Sequence, residues 1–97
     1  MHAAETIKVL AFYAFTKVDD PQKMIKEHKS FLESLSGKGR IYISEEGINA
    51  QCSVPSEHLE DYTSYVLKNF STADIKIHTH KAHPFAKLIV KYRKQLV

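Results

Sequence analysis

Glu45 and Glu46 stand side by side in RIYISEEGINAQCSV, residues 40–54, and Asn49 follows close behind. A carboxylate pair does general acid–base work when both groups face one substrate across a cleft. Adjacent residues in a turn seldom do. Ser-Glu-Glu-Gly is also good turn chemistry, because Gly47 can take the positive φ that a type I turn with a G1 bulge requires. Glu45, Glu46 and Gly47 are therefore read as a hairpin turn. Asn49 is the better functional candidate. It opens a row with Gln51 and Ser53 on one strand face, beside Arg40 and Tyr42 on the partner strand. An open sheet face with Arg, Tyr, Asn and Gln can stack and hydrogen-bond RNA bases. An ordinary solvated face fits the same residues.

The histidines of HTHKAH invite a metal reading. His78 and His80 would share a strand face and His83 could fold back towards them. With no cysteine or carboxylate beside them, no metal site is expected, and basic surface histidines explain the stretch. His28 lies on the apolar side of a helical pattern and reads as a hydrogen-bonded, semi-buried histidine. Cys52 falls on the core face of its strand with no cation within two residues, so a buried, inert thiol is expected.

The charge is unevenly laid out. The net charge is +3, yet all eleven acidic residues lie at or before Asp74. Lys76, Lys81, Lys87, Lys91, Arg93 and Lys94 follow with no acid among them. Such segregation makes a patch able to attract a polyanion. Lysines that protect a sheet edge from pairing explain it equally well.

These residues need elements to position them. A chain of 97 residues, 43% hydrophobic and 26% charged, makes one globular domain. No apolar run reaches the roughly 20 residues of a membrane span, and MHAAETIKVL lacks the basic-then-apolar layout of a signal peptide. With one cysteine, a reducing, cytoplasmic setting is expected. IKVLAFYAF (7–15) is apolar on both faces and predicts a central, doubly packed strand. Asp20 and Pro21 open an amphipathic helix over 21–36, and SGKG stops it. Strands 40–44 and 48–54 alternate cleanly, with Ile41 and Ile43, then Ile48, Ala50, Cys52 and Val54, on the core side. Ser56 is expected to cap a second helix with Leu59, Tyr62, Val66 and Phe70 as its buried stripe. DIKIHTH (74–80) alternates again, and KLIVKY (87–92) is a further extended segment.

The order β-α-β-β-α-β predicts an α+β, ferredoxin-like sandwich: an antiparallel sheet with two helices on one face, plus a C-terminal extended segment. Two activities that share this fold can be weighed directly. An acylphosphatase needs a Gly- and Arg-bearing anion cradle after the first strand. The equivalent loop, FTKVDDPQ, has neither and carries two aspartates. An RNA-recognition motif carries aromatics on its third strand, and INAQCSV has none.

Three segments are similar to one known family. GKGRIYISEEGINAQ resembles the G-x-x-x-x-x-x-E-G-I-N-G stretch in the N-terminal domain of the rhodanese-related tRNA uridine-34 hydroxylase family. VLAFYAFTKVDDPQ looks like that family's A-L-Y-K-F-V-x-L-x-D opening, and HPFAKLIVKYRKQLV resembles its x-P-F-x-x-L-x-V-x-x-K-x-E-I-V close. Two positions depart: Ala50 replaces a glycine and Gln95 a common glutamate. The resemblance implies an acylphosphatase-like domain, 1–97, ahead of a rhodanese domain in a longer oxidoreductase. That enzyme would convert wobble uridine of tRNA to 5-hydroxyuridine with oxygen. It also implies that the active-site cysteine belongs to the rhodanese loop, not to Cys52. Within 1–97, no catalytic residue and no cofactor are expected. Arg40, Tyr42, Asn49, Gln51, Lys81, Lys87, Lys91, Arg93 and Lys94 are the expected tRNA contacts. The alternatives are a docking module that touches only the rhodanese domain and, less favoured, a small phosphatase.

Overall fold

The computed structural model describes residues 6–96. The reading of the first residues as no leader lies partly outside them, as does Val97. Strand β1 (Ile7–Phe15) leads to helix α1 (Pro21–Ser34), the hairpin β2 (Lys38–Ser44) and β3 (Gly47–Pro55), helix α2 (Leu59–Asn69), and strands β4 (Lys76–His80) and β5 (Leu88–Tyr92). The five strands form one sheet in the order β4-β1-β3-β2-β5. The α+β fold is the expected one. One detail differs: β5 pairs with β2 in parallel, so the sheet is not wholly antiparallel.

Local chemistry sets the element ends. The Asp20 side chain accepts from the Lys23 amide at 3.1 Å, and Pro21 occupies the first turn, where its missing N–H costs nothing. The helix stops two residues earlier than expected, with Ser36 at a positive φ of 60° and the Gly37 amide on the Leu32 carbonyl at 2.8 Å. Ser56 does not cap the second helix. Its hydroxyl donates to the Thr6 carbonyl at 2.8 Å, and a short 3₁₀ turn over Ser56–His58 intervenes before α2.

One sheet face is packed and the other is not. Leu10, Phe12 and Ala14 of β1 pair with Cys52, Ala50 and Ile48 of β3. Against this face lie Leu32 and Leu35 from the α1 end and Tyr62, Val66 and Phe70 from the α2 end, forming one buried cluster. The double packing expected of β1 is therefore corrected. It is an interior strand, but the rings of Tyr13 and Phe15 on its other face are 62% and 56% exposed. No described helix covers them.

His28 and Cys52 sit inside the core. His28 Nε2 is 2.7 Å from the Tyr62 hydroxyl, while Nδ1 meets no polar partner among the described residues. Burial lowers the imidazole pKa to about 4. Burial likewise pushes the Cys52 thiol up to about 12. Cys52 is buried, as expected of an inert thiol, whereas His28 is fully buried and only half satisfied, not the hydrogen-bonded, semi-buried histidine that was expected.

Candidate nucleic-acid interface

The β2–β3 hairpin turn does two structural jobs. Ser44 Oγ accepts from the Glu46 amide at 3.0 Å, shaping the turn. The Glu46 and Glu45 carbonyls then accept from the Thr16 and Val18 amides at 2.9 and 3.0 Å. The tip therefore pins the loop between β1 and α1. Gly47 holds a positive φ of 143°, and a Cβ there would lie 1.9 Å from the Ala14 carbonyl oxygen. Close approach of two backbones, beyond turn shape, demands glycine. The carboxylates do not converge. Glu45 accepts from the Tyr92 hydroxyl at 2.7 Å, and that bond, with its own backbone and Lys94, holds its pKa below the usual range.

The pinned loop bears on phosphatase chemistry. Two of its amides, at Thr16 and Val18, are bonded to the hairpin and cannot cradle a phosphate. Asp20 faces the helix amides that would otherwise attract one.

The uncovered sheet face carries the remaining candidates. Register places Tyr13, Asn49, Tyr42 and Lys91 in one cross-strand row, and Ala11, Gln51, Arg40 and Ile89 in the next. Lys76 extends the second row on β4. Arg40 and Gln51 are exposed, and Tyr42 and Asn49 are half-buried. The half-burial has a specific cause. After β5 the chain folds back over this face: the Arg93 guanidinium lies 3.7 Å from the Tyr42 ring centroid, a cation–π geometry. Asn49 Nδ2 donates to the Leu96 carbonyl at 3.2 Å. Leu96 itself is only 6% exposed. Tyr42 and Asn49 are thus joined to the basic tail instead of standing free beside it.

The basic segment does not form one patch. Lys81 and Lys87 lie in the exposed β4–β5 connection, at the sheet end where β2 begins. Lys91, Arg93 and Lys94 run towards the other end, where Glu45 faces Lys94. His83 in the connection turns onto the sheet, with Nδ1 2.6 Å from Ser53 Oγ. Desolvation by burial, then the charge of Lys38, lowers its pKa. His83 is thereby drawn away from His78 and His80, which share the open face of β4. Among the described residues, no three His, Cys, Asp or Glu side chains group as metal ligands. No described helix is long and apolar enough to cross a membrane.

Sequence reasoning missed Tyr13 and Phe15 as site residues. Their rings meet edge to face with centroids 5.7 Å apart. They occupy the face of β1 opposite Leu10, Phe12 and Ala14, and the structure sets them in register with β3, Tyr13 opposite Asn49 and Phe15 opposite Gly47.

Comparison with known proteins places the chain. Residues 7–96 match the model of the UPF0176 acylphosphatase like domain. Among curated relatives, a tRNA uridine(34) hydroxylase of Protochlamydia amoebophila is 45% identical over 92% of this chain. One from Chlamydia pneumoniae is 47% identical over 90%, and one from Bacillus velezensis is 37% identical over 93%. The chain spans 28% of the first two relatives and 29% of the third. With a helix-backed five-stranded sheet and a family match over nearly the whole chain, the protein belongs to the UPF0176 acylphosphatase-like domain family.

Proposed function

We propose that this chain is the N-terminal domain of a tRNA uridine-34 hydroxylase and that its uncovered sheet face contacts the tRNA. In this reading it positions the anticodon loop for a downstream rhodanese domain, which carries the chemistry. The carrying observation is the open face itself, where exposed aromatic rings stand among Arg40, Gln51, Lys76 and Lys91. Rings stack on unpaired bases and cations neutralise phosphates, the two ingredients of single-strand binding. The names of the relatives supply the substrate class. A tRNA substrate would place the protein in the cytoplasm.

The test is titration of the 97-residue chain with an anticodon stem-loop RNA at several salt concentrations. Affinity should fall steeply with salt, and changing Lys91, Arg93 and Lys94 to Ala should reduce the log–log slope by about 2. An affinity unmoved by removing these charges would refute their role as phosphate contacts. One observation favours a second reading: Tyr13 and Phe15 are apolar as well as exposed, which suits docking against another domain. That reading expects no RNA affinity and measurable binding to a separately made rhodanese domain.

A further inference from the structure

Tyr13 stands between two depressions on the open face. One, about 170 Å³, is bounded by Phe15, Ile48 and Asn49 and closed by Leu96. The other, about 250 Å³, is open. It is lined by Tyr13 and Ala11 of β1, by Asn49 and Gln51 on the β3 side, and by Lys76 and Asp74 on the β4 side.

The second depression has the parts of a base-binding site in the right order. Phe15 packs against the Tyr13 ring edge to face, and Tyr13 is itself largely exposed. Ala11, next in the alternation, is small and leaves room beside the ring. Asn49 pairs across from Tyr13 and Gln51 across from Ala11, so two side-chain amides line the same side. The bond from Asn49 to the Leu96 carbonyl fixes one of them. Lys76 pairs across from Ala11 on the opposite strand and supplies a cation at the outer edge, held at 3.0 Å by Asp74.

We propose that this depression is a nucleobase subsite for single-stranded RNA. One unstacked base lies against Tyr13, its polar edge meets Asn49 and Gln51, and the adjoining phosphate replaces Asp74 at Lys76. The subsite rests on the RNA-binding reading above and gives it a location. Stacking on a ring is indifferent to which base is present, whereas the paired amides discriminate by donor and acceptor pattern. Loop nucleotides can enter and duplex nucleotides cannot, because their faces are already covered.

The 97-residue chain is titrated with an anticodon stem-loop and with a duplex of equal phosphate number, and Tyr13→Ala and Ala11→Leu are compared with it. Both positions are on the uncovered face, and circular dichroism reports the fold. Each variant should weaken stem-loop binding about 5- to 100-fold and leave duplex binding and the salt slope unchanged. Tyr13 ring protons should move upfield on saturation with the stem-loop. Stem-loop binding that is unchanged in both variants overturns the subsite and leaves the RNA reading standing. Equal losses for stem-loop and duplex also overturn it, since Tyr13 would then act through general structure. No binding of either RNA by the unaltered chain removes both.

Discussion

Lowering the pH from 7.5 to 5 should destabilise this domain through His28 alone by about 2 kcal/mol. One ring nitrogen meets the Tyr62 hydroxyl and the other meets no polar partner among the described residues, so an imidazolium would carry a buried N–H with no acceptor there. Burial accordingly lowers the pKa from 6.5 to about 4. The sign follows. Between those values the unfolded chain holds a proton on His28 and the folded chain does not. Unfolding therefore takes up a proton, and stability falls as pH drops through 6.5 towards 4. The full difference is about 3 kcal/mol, of which about 2 appears by pH 5. For a domain of ordinary stability this is a large fraction. Urea unfolding at the two pH values would show a midpoint lower by about 1–2 M at pH 5. His28→Gln, which keeps a polar group without a proton to gain, should lose that part of the pH dependence whatever its absolute stability. His83 contributes in the same direction, and because it is present in both proteins it cancels in the comparison. Equal pH slopes for the two proteins would refute the argument, as would a wild-type midpoint that does not move.

Two further perturbations test the packing. Gly47→Ala puts a methyl group 1.9 Å from the Ala14 carbonyl oxygen at a φ of 143°, which should cost about 3 kcal/mol or more; a thermal midpoint lowered by less than about 12 °C would contradict this. Cys52, buried with its pKa raised to about 12, should react with iodoacetamide at pH 8 about a thousandfold more slowly in the native protein than in urea, and fast native labelling would show that β3 is not held as described.

Much of this arrangement was legible in the residues. Alternation over 40–44 and 48–54 assigned the two faces of the hairpin because one face is wholly apolar, and a slip of one residue would invert it. Asp20 and Pro21 act through local bonds, so their roles needed no tertiary information. Tyr13 and Phe15 were misjudged for the opposite reason. Aromatic residues on an open face have the same polarity as aromatic residues in a core, and periodicity cannot tell whether a second layer exists to cover them. Ser56 looked like a cap by type, but a hydrogen bond to Thr6, fifty residues away, took its hydroxyl. The return of the tail over Tyr42 and Asn49 was equally hidden, since a cation–π contact and a single amide bond leave no periodic trace. The parallel pairing of β5 was hidden too, because strand direction follows from where the connection runs.

That connection carries a consequence for how the domain is made. Strands β4 and β5 lie on opposite edges of the sheet, about 19 Å apart at ordinary strand spacing. The link between them, residues 81–87, reaches about 28 Å when fully stretched. It spans the width of the sheet and touches it where His83 meets Ser53. During synthesis, β4 can close on β1 while β2 still has a bare edge. That edge stays open to any passing strand until residue 92 has left the ribosome and β5 can zip alongside it. The connection over residues 81–87 then joins the two edge strands of the finished sheet.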